Sequence, residues 1–376
     1  MKRAIRIVHT SDLHLDASFR ATGIPSARAR ERCVAHLEAF DRVVELARSE
    51  EADLLLIAGD LFEAAHARPA TVRHVAKRLA AWGKPVCIAP GNHDPFRPDS
   101  LYAWVEWPQN VTVFHGAWST LPLPELGVVV HGRGFTEPEE HARLVDGLCI
   151  DTDALNVVVA HGSDESTRPD RHQPYRPFTV AEIDATGADY VALGHFHTHT
   201  VLPTQRVPAA YSGSPIPQGF QDQSDYGVLV VDVNGAAVDM QLRTLPARRF
   251  VTVEVDVSGC DTEAEVAERA RGALLDRKTR RDFVRLCLRG TTPADLEIDA
   301  ATLRDGLTAS AHVLTLRDET APEYDLEAVA SEGTVRGNFV RTLRARLEDA
   351  PEDERETIRR AIYYGLDAFT GRPQVR

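Results

Sequence analysis

Leu54-Leu55-Leu56-Ile57-Ala58-Gly59-Asp60-Leu61-Phe62 is the stretch on which the fold turns. A strand-sized apolar run, Leu54–Ala58, breaks at a glycine and delivers an acid directly after it. The same pattern recurs along the first 245 residues. The other runs are Ile5–Thr10, Val86–Ala89, Val111–His115, Val128–Val130, Val157–Ala160 and Val191–Leu193. Two more, Gly227–Val233 and Val238–Leu245, read as a hairpin joined by Asn234-Gly235. Between the runs, residues 27–49 and 70–82 have helical spacing, with Val34, Leu37, Phe40, Val43, Val44 and Leu46 on one stripe. Strands alternating with helices predict an α/β core with parallel or mixed sheets.

The rhythm changes after Pro246. Phe250–Val257 alternates as a strand, 262–275 is helical, Phe283–Leu288 is a strand, about 300–308 a short helix and His312–Leu316 a third strand. Ala321 to Glu332 is acidic and reads as a loop, and 335–348 and 352–369 read as two helices. The expected domains are residues 1–246, a small β-α-β-α-β domain at 247–320, and a C-terminal helical segment at 333–376.

Composition narrows the class. The chain has 376 residues, 43% hydrophobic and 26% charged, the balance of an ordinary globular protein and not of a collagen, a coiled coil or a disordered chain. No apolar run approaches a membrane span. The N-terminus runs straight into a strand pattern without a signal-peptide core, so a cytoplasmic location is expected. The cysteines (Cys33, Cys87, Cys149, Cys260, Cys287) form no CxxC pair and offer neither a disulfide framework nor a thiolate zinc site. The net charge of −13 is poorly suited to unaided binding of nucleic acid. A polyanion could be handled only where bound metal, a basic patch or a partner reverses the field locally.

Five strand ends carry polar clusters: Thr10-Ser11-Asp12-Leu13-His14, Gly59-Asp60, Gly91-Asn92-His93-Asp94, His161-Gly162-Ser163 and Gly194-His195-Phe196-His197. Taken singly, most read as an ordinary turn or a surface histidine, and Gly91-Asn92-His93-Asp94 reads as readily as a site. Taken together, in order and each directly after an apolar run, they predict one site at the carboxyl ends of the strands, although 183 positions separate Asp12 from His195. Carboxylate, amide and imidazole donors without thiolate suit Mn²⁺, Fe²⁺ or Zn²⁺. Glycines 59, 91, 162 and 194 are expected to let the backbone turn sharply there. His199 reads as a nearby polar residue.

This ordered set resembles the calcineurin-like metallophosphoesterases, within them the SbcD-type DNA exonucleases and their YhaO-like relatives. Gly59-Asp60-Leu61-Phe62, Asp94 at the end of the third motif, and Tyr211-Ser212-Gly213-Ser214-Pro215 followed by Gly219-Phe220 favour that branch. The resemblance implies a two-sheet sandwich flanked by helices, a small α/β capping domain and C-terminal helices. It also implies two divalent ions, foremost Mn²⁺, with Fe²⁺, Zn²⁺ or Mg²⁺ as alternatives. Asp12, His14 and His197 would hold one ion; Asn92, His161 and His195 would hold the other; Asp60 would bridge them. His93 would stay off the metals, contact the phosphate and help protonate the leaving oxygen. Glu63-Ala64-Ala65-His66 departs from the family, which often shows Asp or His beside the site, so a second catalytic side chain is not assigned.

The implied activity is hydrolysis of DNA phosphodiesters by an exonuclease, with endonuclease activity also open, in DNA repair or processing. The alternatives are a small-molecule or cyclic-nucleotide phosphodiesterase and an inactive scaffold that binds DNA or an ATPase. The resemblance implies an SbcC-like coiled-coil ATPase as partner, and no GxxxxGK[ST] loop occurs in this chain. Arg285 and Arg289 alternate onto one face of their strand and could contact DNA, or could form a solvated face balanced by acids. Val335, Phe339, Val340, Leu343 and Leu347, with Ile358, Ile362, Leu366 and Phe369, could dock that partner or a second copy of the chain, or could pack on the chain's own core.

Overall fold

The computed structural model describes residues 4–18, 26–151, 153–166, 174–221, 225–235 and 237–369. Its contacts divide the chain into residues 1–250 and 251–376. The first unit runs β1 (Ile5–Thr10), α1 (Ser26–Ser49), β2 (Leu54–Ile57), α2 (Pro69–Trp82), β3 (Val86–Ile88), β4 (Val111–Val113), β5 (Ser119–Leu123), β6 (Val128–Arg133), β7 (Leu155–His161), α3 (Val180–Asp184), β8 (Tyr190–Gly194), β9 (Thr200–Val201), β10 (Ala209–Tyr211), β11 (Val228–Asn234) and β12 (Ala237–Arg243). These strands make two six-stranded sheets, ordered β12-β11-β1-β2-β3-β4 and β5-β6-β7-β8-β10-β9. β1, β2, β3 and β4 are parallel neighbours, as are β6, β7, β8 and β10. Their carboxyl ends therefore fall at one end of each sheet.

Alternation along the strands explains the layers. Ile5, Ile7, Leu54, Leu56 and Cys87 face Val128, Val130, Val157, Val159 and Tyr190 between the sheets. Val8, Leu55, Ile57 and Ile88 face the other way and pack under Phe40, Val43 and Val44 of α1 and Val72, Val75 and Leu79 of α2. Val158, Ala160, Val191 and Leu193 pack against Phe178 and Ile183 on the outer face of the second sheet. Burying each such side chain contributes about 1.5–3 kcal/mol. This is the helix-flanked, two-sheet α/β sandwich that the sequence led us to expect.

The second unit runs β13 (Phe250–Asp256), α4 (Glu263–Asp276), β14 (Phe283–Arg289), β15 (Thr291–Pro293), α5 (Ala300–Leu307), β16 (Val313–Asp318), β17 (Ala321–Glu323), α6 (Leu326–Ser331), α7 (Val335–Asp349) and α8 (Glu352–Phe369). β13, β14 and β16 form one sheet, and Val255, Leu286 and Leu314 pack with Val266, Leu274 and Leu303 from the helices. The segment read as an acidic loop, 321–332, is instead a strand and a helix. β17 pairs parallel with β15, and Asp325 accepts from the N–H groups of Glu327 and Ala328 as the N-cap of α6. Its acids cap and flank structure where the sequence suggested solvated chain.

Three short strands of the first unit carry no sequence signal. β5 contains Pro122 and is an edge strand, the position where a missing N–H is tolerated. β9 and β10 are too short for a periodic pattern. In the C-terminal helices, Val340, Ile362 and Leu366 are buried against Tyr324 and Val329, so the middle of both stripes closes a small core of this unit. Val335 and Phe369, at the stripe ends, are exposed. Among the described residues no helix is long and apolar enough to cross a membrane.

Candidate metal centre

The loops after β1 and β2 run side by side. Asp12 N–H donates to Gly59 O (3.0 Å), His14 N–H to Asp60 O (2.9 Å) and Leu15 N–H to Leu61 O (3.0 Å). To make this pairing, Asp12, His14 and Asp60 adopt left-handed φ values of 54°, 45° and 52°. Gly59, at φ 90°, turns in the same sense. A side chain at Gly59 would meet His161 Nδ1 at 2.2 Å. At Gly194 the requirement is room, because a Cβ there would lie 1.8 Å from Ala58 O. Of the four glycines expected to turn the chain sharply, only Gly59 has a positive φ; at Gly91, Gly162 and Gly194 close approach is the constraint.

Five strand ends converge. Asp60, at the end of β2, accepts His93 N–H at Oδ1 (2.9 Å), while its Oδ2 lies 3.4 Å from His161 Nε2 and 3.7 Å from His14 Nε2. His161, the last residue of β7, donates from Nδ1 to Ala58 O (2.9 Å). A carbonyl can only accept, so this bond fixes the proton on Nδ1 of the neutral ring and leaves Nε2 as a lone-pair donor. That Nε2 lies 3.1 Å from Asn92 Oδ1 and 3.3 Å from His195 Nδ1. On the other side, His14 Nε2 and His197 Nε2 are 3.2 Å apart, and His195 N–H donates to Asp12. Asp12, His14, Asp60, His161 and His195 are all buried.

Donor atoms of Asp12, His14 and His197 all lie within 4.8 Å of one another, as do those of Asp12, Asp60 and His161, and those of His14, Asp60 and His93. The structure thus brings all seven expected ligands to one place, with His93 at the margin. His93 is the most open of them, its side chain 44% exposed.

The donor chemistry fits divalent cations. Pairs of imidazole nitrogens at 3.2–3.3 Å face one another across buried carboxylates, an arrangement that calls for positive charge between them. The protonation preferences carry the same demand. Burial disfavours an imidazolium at His161, yet Asp60 and Asp12 hold it up at about 9. Burial pushes the Asp60 carboxyl up, but His161, His14 and His93 outweigh that and hold it well below the ordinary range.

Two side chains stand out that the sequence did not assign. Glu63 Oε2 accepts from His93 Nδ1 (3.0 Å) and lies 3.6 Å from His14 Nδ1. Burial raises its carboxyl, but those two imidazoles win and hold it at about 2. Burial in turn lowers His93, while Glu63, Asp60 and Asp94 hold it up at about 9. Asp94 is fully buried and accepts N–H groups of Gly91 (2.7 Å), Phe62 (3.0 Å) and Asp60 (3.2 Å) and the Tyr102 hydroxyl (2.7 Å). Burial and the Asp60 charge push it up to about 6. The only sequence signal for Glu63 was its place directly after the second motif.

Other histidines do different work. His199 Nδ1 donates to Tyr211 O (3.0 Å), and His36 Nδ1 to Leu13 O (2.8 Å). In the second unit, Arg289 is engaged by Glu254 (2.8 Å) and Glu319 (3.4 Å).

Residues 5–199 match the calcineurin-like phosphoesterase family. Among curated relatives, the uncharacterized metallophosphoesterase YhaO of Bacillus subtilis (strain 168) is 28% identical over 331 residues, covering 81% of this chain and 77% of the relative. The DNA double-strand break repair protein Mre11 of Methanopyrus kandleri is 27% identical over 391 residues, covering 93% and 80%. A subunit of the nuclease SbcCD of Escherichia coli (strain K12) is 24% identical over 291 residues, covering 66% and 70%.

Proposed function

The chain belongs to the calcineurin-like phosphoesterase family, and from that premise we propose that it is a two-metal phosphodiesterase that cleaves DNA in repair or processing. The observation that carries this reading is the reach of Asp60 to His14 on one side and His161 on the other, so that one carboxylate joins donors from both sheets. Asp12, His14 and His197 would hold one ion and Asn92, His161 and His195 the other, with Asp60 shared. When bound, two divalent ions supply Lewis-acid stabilisation of the phosphate and a nucleophile usable at neutral pH. They also reverse the local field for a polyanion in an acidic protein.

The protein's own contribution is position and proton. His93 stands at the open edge of the donor set and would give a proton to the leaving oxygen. Glu63 holds its Nδ1, so the opposite nitrogen is the one presented. Asp94 holds the loop of Asn92 and His93 against that of Asp60 through the N–H groups of both. A complete donor set speaks against an inactive scaffold, which has no need of one.

Residues 247–320 would act as the capping domain and 333–376 as the helical segment for an SbcC-like ATPase or a second copy of the chain, within the cytoplasm. One relative is named as part of a nuclease with more than one component, which supports an assembly of this kind. Purified chain with Mn²⁺, assayed on linear duplex DNA, single-stranded DNA and cyclic nucleotides, tests the reading. Metal-dependent DNA cleavage abolished by chelator is expected. Turnover of cyclic nucleotides alone would replace it with a small-molecule phosphodiesterase.

A further inference from the structure

Asp12 and His14 take left-handed φ values of 54° and 45° on either side of a buried Leu13. Non-glycine residues stay in that region only where their surroundings hold them there. Their N–H groups pair with the loop after β2. The carbonyls of this stretch are held by a second set of partners, none of them a proposed metal ligand.

Two donors converge on Asp12 O. Ser214 Oγ and Gln218 Nε2 each donate to it at 3.0 Å, and both residues are buried. Ser214 belongs to the Tyr211–Pro215 motif, and Gln218 follows it closely. The next carbonyl, Leu13 O, accepts from His36 Nδ1 (2.8 Å). His36 Nε2 lies 2.9 Å from Arg32 Nη2, which also donates to Pro217 O (2.5 Å). Arg32 and His36 are one turn apart on α1 and only 2% and 1% exposed. The circuit closes on itself: Pro217 and Gln218 are neighbours in the chain, one reaching Leu13 O through Arg32 and His36, the other reaching Asp12 O directly.

The chemistry of the donors fixes the state of His36. A carbonyl only accepts, so Nδ1 carries the proton; a guanidinium only donates, so Nε2 is the lone-pair nitrogen. The ring is therefore neutral, and burial with the Arg32 charge beside it disfavours the imidazolium. With both nitrogens engaged, His36 has neither left for an ion or for proton transfer. What it does is fix the plane of the peptide after Leu13, and with it the course of the backbone into His14.

We propose that His36 and Gln218 are positioning residues for Asp12 and His14, holding the peptides between them through their carbonyls so that one ion meets a preformed pair of donors. The proposal rests on the two-metal reading above and concerns how the chain prepares one half of that site. Asn92, His161 and His195 stand on other loops, so the second ion is expected to be spared.

The test titrates the metal-stripped full chain with Mn²⁺, follows the free ion by electron paramagnetic resonance, and records thermal unfolding and DNA cleavage separately. His36→Phe keeps a ring without a donor, and Gln218→Met keeps the length without one. Each should weaken one of the two Mn²⁺ ions about 10–100-fold, the usual scale for an outer group that orients a ligand, and leave the other as in the wild type. His36→Asn, which can present an N–H near the place of Nδ1, should recover most of the loss. Equal weakening of both ions, no weakening of either, or an Asn variant no better than Phe overturns the proposal. Where His36→Phe does not fold, Gln218→Met decides by the same readings. Two ions on the wild type, one of them lost selectively in the variants, but no cleavage of any phosphodiester would sink the catalytic reading and leave the positioning role standing. A competent nuclease whose ions are indifferent to both variants would do the reverse.

Discussion

Both units are built from parallel strands under helices, yet they end their strands differently. In residues 251–376, β14 and β16 close over a plain apolar core, and Lys278 alone among the described non-glycine residues takes a left-handed φ. In residues 1–250 seven described non-glycine residues do so; Asp16, Glu51 and Arg176 are not proposed ligands, but Asp12, His14, Asp60 and His195, at φ 54°, 45°, 52° and 119°, are, and their side chains are buried. Each such backbone costs on the order of 1–3 kcal/mol and persists only where its surroundings hold it. The second unit demonstrates that this sheet type does not require strained polar ends. The four that fall on proposed ligands at the strand ends are explained by chemistry, since local rules fail where function overrides them.

That contrast is broken most directly at Asp60. Asp60→Asn should lower turnover of a small phosphodiester by on the order of 10³-fold or more, because it removes the carboxylate shared by both donor sets. Near-normal turnover with full metal content by elemental analysis would mean the strained ends serve something else.

Next in size is His93→Ala, expected to cost about 10²–10⁴-fold while both metals stay bound. Loss of one metal in that variant would make His93 a ligand, a role its grouping with His14 and Asp60 also permits. Glu63→Gln should cost about 10–100-fold, the usual scale for a group that orients another. Equal losses in Glu63→Gln and His93→Ala would mean the two act as one unit.

A smaller effect sharpens the comparison through acid. His9 is buried, and that burial, only partly opposed by the Leu193 carbonyl, lowers it to about 3 from the ordinary 6.5. Between those values the unfolded chain takes up a proton that the folded chain refuses. Stability is therefore complete above about pH 6.5 and falls as pH drops toward 3, by up to about 1.4 kcal/mol per pH unit. Buried His36 is shifted the same way and adds to the loss. Calorimetry between pH 7 and 4 should follow this slope, and His9→Gln should flatten it.

The smallest expected change lies in the second unit. If Arg285 and Arg289 contact phosphate, replacing each by Ala should lower the slope of log affinity for DNA against log salt by about 1. An unchanged slope would leave Arg289 to its ion pairs with Glu254 and Glu319.

The sandwich was legible because the strands that build it are long, apolar and followed by turn residues. Ile5–Thr10 is found with both its sequence-predicted ends, and the others shift by a few residues. What escaped was structure without periodicity: β5 with its proline, the two- and three-residue β9 and β10, and α6, whose capping acid looked like loop composition. At the site, the residues with metal-donor chemistry could be named, because such groups rarely follow five strands by accident. Glu63 and Asp94 act by holding neighbours, and a carboxylate that accepts N–H groups looks in sequence like any other acid.

The pairing of donors across two sheets has a consequence for how the protein is made. His195 and His197 emerge about 185 positions after Asp12. At synthesis rates of about 5–20 residues per second, that gap lasts roughly 10–40 s. For that interval the growing polypeptide carries Asp12 and His14 without the donors after β8, and for most of it without His161 of β7 as well. Capture of metal by the full donor set would thus be timed to the arrival of β8, and a chain cut short before it would lack His195 and His197.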